Sequence, residues 1–247
     1  MNAYELKDKL NQITPFSISE RLIEKGYYDN SGVICDGEGD KILFTLDLTH
    51  KAVKEANKLG CKLIVTHHPA IFSPIKKVEG ALAEAIKSGI GVISAHLNAD
   101  FASEGVDYHL AKALGASQPI ILENYDFGGY GRLFSLDTTI EEFILKIKEQ
   151  LNAKNICVFG TNKKINKVAT FCGAGLDEKS LSLAKDAQLV LSADIKHHIL
   201  LQAVSEGKVV VQLTHYATEN YGFKQIYKNF SKIVKEQVYY YEEDTLL

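Results

Sequence analysis

Lys62-Leu63-Ile64-Val65-Thr66-His67-His68-Pro69 is the stretch from which the fold is read. Branched, β-favouring residues run without interruption and then stop at two imidazoles and a proline, as in a buried parallel strand whose carboxyl end carries the histidines. In open α/β sheets that end is where ligands bind. An extended backbone points successive side chains to opposite faces, so both histidines reach one cleft only if the chain turns at Pro69. One packed and one solvated histidine is the ordinary alternative.

Strands and helices alternate on both sides of this stretch. Upstream, helical spacing covers 4–12 and 17–24, and the turn chemistry of Tyr28-Asp29-Asn30-Ser31-Gly32 precedes a strand at 33–35. A strand at 42–46 follows the Gly37-Glu38-Gly39-Asp40 turn, and Thr49 can cap a helix reaching Leu59. Downstream, a helix over 80–87 leads to a strand at 92–95, which ends in His96-Leu97-Asn98-Ala99-Asp100. Pro119 and Gly128-Gly129-Tyr130-Gly131 break this rhythm, which places a lobe boundary near residue 125 and divides the chain into an N-terminal lobe 1–125 and a C-terminal lobe 126–247.

The second half repeats the style of the first. A strand at 132–136, a helix capped by Thr138 or Thr139, and strands at 156–159 and 168–172 lead into Gly173-Ala174-Gly175 and a helix from Glu178. A strand at 189–191 precedes Ser192-Ala193-Asp194-Ile195-Lys196-His197-His198 and a further helix. The last buried strand, 209–213, ends in Thr214-His215-Tyr216-Ala217-Thr218-Glu219, and the aromatic and charged tail reads as an edge strand. The fold class is α/β: two similar α/β lobes with largely parallel or mixed sheets and helical cover. A strand followed by a double histidine in both halves hints at an internal duplication.

The 247 residues, 46% hydrophobic and 24% charged, fit a soluble globular chain, and a net charge of -3 gives no general attraction to nucleic acid. No apolar run is long enough for a bilayer, and the acidic, amphipathic start does not read as a signal peptide. Cys35, Cys61, Cys157 and Cys172 are widely spaced, as expected of reduced core thiols in a cytoplasmic protein.

Ligand-type side chains gather at three strand ends: His67 with His68, His96 with Asp100, and His215 with Glu219. In a parallel sheet these ends can converge on one edge, and a spacing of four puts each carboxylate on the same face as its histidine if the backbone turns helical. Imidazoles with carboxylates suit zinc, iron, manganese or nickel, rather than a thiolate site or an all-oxygen calcium cage. The set suffices for two divalent ions bridged by a carboxylate, and such a pair activates water, so hydrolysis is the natural reaction class. Asp194 reads as a helix cap, His109 as a helix-surface residue, and His197 and His198 as polar residues at a helix start. Gly173 and Gly175 either offer backbone N–H groups to a phosphate or make a tight turn. Arg132, one of only two arginines, is either a bidentate phosphate clamp or an ion-pair partner at the lobe junction.

With these blocks in order, the chain resembles the type 2 GTP cyclohydrolase 1 homologues, also called NIF-three-like proteins. Tyr28-Asp29-Asn30-Ser31-Gly32, Leu46-Asp47, Thr66-His67-His68-Pro69, Ser94-Ala95-His96-Leu97-Asn98-Ala99-Asp100, Gly131-Arg132, Gly173-Ala174-Gly175, Ala193-Asp194-Ile195-Lys196-His197-His198 and His215-Tyr216-Ala217-Thr218-Glu219 carry the resemblance. It implies a dinuclear metal site between the lobes with ligands at His67, His68, Asp100, His215 and Glu219, the last bridging the ions. It also implies a toroidal homohexamer acting on a phosphorylated small molecule, and conversion of GTP and water to 7,8-dihydroneopterin triphosphate and formate. A phosphoesterase of another substrate and a metal-binding protein without turnover fit the same ligands. His96 lies outside the implied ligand set, so its roles are catalytic proton transfer, orientation of a ligand carboxylate, or packing. Leu97, Ala99 and Thr214 depart from the family pattern, in which threonine, leucine and glycine are usual, and all three flank ligands.

Overall fold

The computed structural model of the chain describes residues 1–161 and 164–247. In chain order it forms α1 (Ala3–Leu10), α2 (Phe16–Glu24), β1 (Gly32–Cys35), β2 (Lys41–Thr45), α3 (His50–Leu59), β3 (Leu63–Thr66), α4 (Gly80–Lys87), β4 (Gly91–Ser94) and α5 (Leu97–Asp100). Next come α6 (Val106–Ala113), β5 (Ile120–Tyr125), β6 (Gly128–Thr138), α7 (Ile140–Leu151), β7 (Cys157–Phe159), β8 (Ile165–Thr170) and α8 (Glu178–Leu183). The chain closes with β9 (Leu189–Ala193), α9 (His197–Ser205), β10 (Val209–Leu213), α10 (His215–Phe230) and β11 (Gln237–Tyr240).

Contacts divide the chain into one unit of residues 1–102 and 223–242 and another of 103–222 and 243–247. The first holds a sheet in the order β1-β4-β3-β2-β11. β3 lies between β2 and β4, parallel to both, and each of its residues is buried, which is why its sequence is uninterruptedly apolar rather than alternating. Leu43, Ile64 and Val92 pack with Val53 and Ala56 of α3 and Leu82 and Ala85 of α4. Thr49 caps α3 by accepting the Ala52 N–H at 3.1 Å, and Gly60 ends it at φ 74. Phe44 on β2 meets the rings of Phe230, Tyr227 and Phe223 at 5.3, 5.7 and 5.9 Å.

The second unit holds a mixed sheet in the order β5-β6-β8-β9-β10-β7. β8, β9 and β10 run parallel, whereas β5, β6 and β7 join by antiparallel pairing. Thr139 and Glu142 form a capping box that starts α7, whose Phe143 and Ile147 are fully buried.

The expected boundary near residue 125 is therefore corrected. Tyr125 pairs with Gly128 across a two-residue turn at Asp126 and Phe127, so the glycine-rich run that breaks the rhythm is the start of strand β6 inside one sheet, and the division falls after Ala102. The tail does form an edge strand, but β11 pairs with β2 of the first sheet rather than joining the second. The three ligand-bearing strand ends do not share one sheet edge either: β3 and β4 lie in the first sheet and β10 in the second. Among the described residues, no helix is long and apolar enough to cross a membrane.

Because Phe44 is fully buried among three rings of α10, Phe44→Ala should cost about 3–5 kcal/mol. Equilibrium urea unfolding of the two proteins gives the difference directly, and a loss below about 1 kcal/mol would show that α10 does not dock through this ring.

Candidate functional site

In the first unit the ligand-type residues gather where β3 and β4 end. The His67 and His68 rings stand 4.9 Å apart, so the turn after Thr66 brings both to one place. His67 is fully buried, with Nδ1 held at 2.8 Å by the carbonyl of Ala95 and Nε2 3.4 Å from Asp100 Oδ1. His68 places Nδ1 2.7 Å from Asp47 Oδ1. Asp100 reaches the group because the chain after β4 turns at once into α5, a single helical turn anchored by Asn98, whose amide donates to the carbonyl of Thr14 at 2.8 Å.

His96 stands beside this group, its ring 5.5 Å from that of His67 and 5.9 Å from that of His68. Its Nδ1 is 2.8 Å from Asp29 Oδ1, and its backbone N–H donates to Ser31 Oγ at 3.0 Å. Burial alone would raise the Asp29 pKa, but the bond to His96, with the hydroxyls of Ser19 and Ser31 nearby, outweighs it and holds the carboxyl at about 2.

The second unit carries its own group. His215 and Glu219 occupy successive turns of α10, with His215 Nε2 3.0 Å from Glu219 Oε1. His215 Nδ1 lies 2.6 Å from Asp194 Oδ2. Asp194 was expected to cap a helix, yet its carboxylate is taken by His215, and its own φ of 48 lies in the left-handed region. Gly173, at φ +54, faces this pair: a Cβ there would overlap Glu219 Oε1 and lie 2.9 Å from His215 Nε2. The space that glycine leaves next to a histidine and a buried carboxylate fits a metal-binding role for the donors. Gly175 answers to packing, since a Cβ there would overlap the Tyr130 hydroxyl.

Other expected residues fall elsewhere. Arg132 is 1% exposed, with Nη1 3.6 Å from Asp107 Oδ2 and 3.1 Å from the carbonyl of Gly129. This burial agrees with the ion-pair expectation, with Asp107 of the same unit as the partner, while Nε and Nη2 make no hydrogen bond among the described residues. His109 is half-buried rather than on the helix surface, and burial pushes its imidazole below the usual pKa. His197 and His198 are exposed as expected, with His198 Nε2 2.9 Å from Glu178. Cys61 and Cys172 are buried thiols, whereas Cys157 on the edge strand β7 is exposed. Asp29, Asp47 and Asp194, quoted in the blocks that carry the resemblance but given no part beside the histidines, are the carboxylates that hold His96, His68 and His215.

His67, His68, Asp100, His215 and Glu219 are all side chains of the kinds that hold a metal ion. The model of the Duf34/NIF3 family (NGG1p interacting factor 3) matches residues 1–245. The chain belongs to that family. A relative from Methanocaldococcus jannaschii, named GTP cyclohydrolase 1 type 2 homolog, is 33% identical over 201 residues, which cover 79% of this chain and 81% of its own. The Protein NIF3 homolog of Schizosaccharomyces pombe is 27% identical over 253 residues, covering 92% and 89%. Among solved structures, reduced HcgD from Methanocaldococcus jannaschii superposes with a TM-score of 0.80 at 28% identity over 97% of both chains. A Staphylococcus aureus hypothetical protein reaches 0.85 at 25% identity, covering 99% of this chain and 97% of its own.

Two outcomes follow from this geometry. Asp29 has its pKa lowered, so the stability it contributes is full above its ordinary value of 3.8 and is lost as pH falls toward about 2. Asp29→Asn should thus unfold about 2 kcal/mol more easily at neutral pH, with the difference vanishing in acid, as denaturant titrations across that range can show. Gly173→Ala should separate His215 from Glu219 and lower the melting temperature; an unchanged melting temperature together with unchanged metal uptake would refute the packing seen at Gly173.

Proposed function

We propose that the chain is a hydrolase working with two divalent metal ions on a phosphorylated small molecule, with GTP as the first substrate to test. One observation carries the reading. His67, His68, His96 and His215 each hold Nδ1 against a carbonyl or carboxylate at 2.6–2.8 Å, which fixes each ring and leaves Nε2 as its ligand or proton-carrying atom.

In this reading His67, His68, Asp100, His215 and Glu219 serve one dinuclear site. Glu219, 3% exposed and with two carboxylate oxygens, is the donor suited to bridge two ions. The ions, zinc, iron, manganese or nickel, would supply an activated water and polarise the group it attacks.

The chain's own residues divide the remaining work. His96 is kept out of the ligand set as a proton carrier: Asp29 fixes its Nδ1, and its side chain is 16% exposed, so Nε2 can exchange a proton with a substrate atom. Phe72 and Tyr28, both exposed and 5.2 Å apart, offer a planar ring a surface to stack on beside His96. The M. jannaschii relative's name supports GTP, and for this chain we take the reaction to be conversion of GTP and water to 7,8-dihydroneopterin triphosphate and formate.

The test is metal-free protein reloaded with each candidate metal, followed by measurement of formate and phosphate released from GTP. Formate released only by the reloaded protein supports the reading. Phosphate without formate would make it a phosphoesterase, and no product with any metal would remove GTP. Glu219→Gln should lower bound metal from two ions per chain toward one, as counted by elemental analysis. His96→Ala should keep both ions while turnover falls by roughly 10²–10⁴-fold; full turnover in that variant would leave His96 a structural residue.

A further inference from the structure

Cys172 follows β8 by two residues and is 1% exposed. Its neighbourhood is not an ordinary apolar core. The sulfur lies within 4.8 Å of a Glu219 carboxylate oxygen, and the next residue, Gly173, is the one whose missing side chain leaves room for Glu219 and His215. Glu219 thus has two ligand-type neighbours in its own unit, the Cys172 sulfur within 4.8 Å and His215 Nε2 at 3.0 Å.

The backbone fixes the sulfur there from both sides. The Tyr130 hydroxyl donates to the carbonyl of Cys172. The Gly173 N–H donates to Thr218 Oγ1 at 2.8 Å, one residue before Glu219 on α10. Gly173's carbonyl in turn accepts from the Ala193 N–H at 2.9 Å and from Ser192 Oγ at 3.0 Å. Three elements therefore clamp the peptide that carries the thiol, which fixes the backbone position from which the sulfur projects beside Glu219.

We propose that Cys172 is a further metal ligand, a thiolate added to the nitrogen and oxygen donors on the Glu219 side of the site. The inference rests on the metal reading given above and extends it. As the sulfur–metal bond forms, the S–H proton leaves to solvent, so metal uptake releases a proton that a site of neutral imidazoles and carboxylates would not. A soft donor also biases the site toward zinc, iron or cobalt and away from manganese or magnesium. The buried Cys61 offers a contrast: it lies in the apolar core with Val53, Ile64 and Leu82, and burial pushes its thiol up to about 11.

Cobalt(II) added to metal-free protein tests this optically. The expected result is a sulfur-to-cobalt charge-transfer band in the near ultraviolet, growing together with the visible d–d bands. Cys172→Ser should lose the charge-transfer band and keep the d–d bands, whereas Cys61→Ser and Cys157→Ser should keep both. Visible bands without a charge-transfer band in the unaltered protein would overturn the proposal while leaving the metal site standing, as would a band that survives Cys172→Ser. No cobalt binding at all in the unaltered protein would overturn the metal reading and the thiolate with it. The unaltered protein carries the first half of the test, so poor folding of the serine variant does not blunt it.

Discussion

An imidazole bonded through Nδ1 to a fixed acceptor can neither rotate nor change tautomer cheaply, and here that bond depends on strand register. β3 and β4 pair Thr66 with Ser94, which brings the carbonyl of Ala95 to His67. β2 and β3 pair Thr45 with Thr66, which brings Asp47 to His68. β9 and β10 pair Ala193 with Leu213, which brings Asp194 to His215. In each case the acceptor sits just past the carboxyl end of the neighbouring parallel strand. A slip of one residue would turn every side chain to the opposite face, so the apolar patterning that fixes the register also orients the histidines.

This dependence explains what could be read from the sequence. β3 and its two histidines were legible because an unbroken branched run has few other uses than a buried strand, and the capping residues Thr49 and Thr139 were legible because caps act locally. The acceptors were not. Asp47 and Asp194 each lie 21 residues from the histidine they hold, and Asp29 lies 67 from His96, so nothing local distinguishes them from turn or cap residues. The lobe boundary was misplaced for a related reason: glycine signals a break equally well beside a hairpin turn and in a linker, and only pairing across β5 and β6 tells them apart. The tail was readable as a strand, but which sheet it would join was not, because edge pairing with β2 is a long-range event.

Two positive-φ residues lie beside His215. Asp194 and Gly173 both take positive φ, at 48 and 54, and their carbonyl and carboxylate contacts meet around His215 and Ser192. A non-glycine residue in that region costs of order 1–3 kcal/mol, which the surrounding parallel strands must offset.

The most direct measurement is a crystal structure of the metal-loaded chain with anomalous scattering recorded at the absorption edge of the metal supplied. The proposed function expects two anomalous peaks, with His67, His68 and His215 contributing Nε2 and Glu219 touching both ions. A single peak, no peak, or coordination through Nδ1 would contradict it.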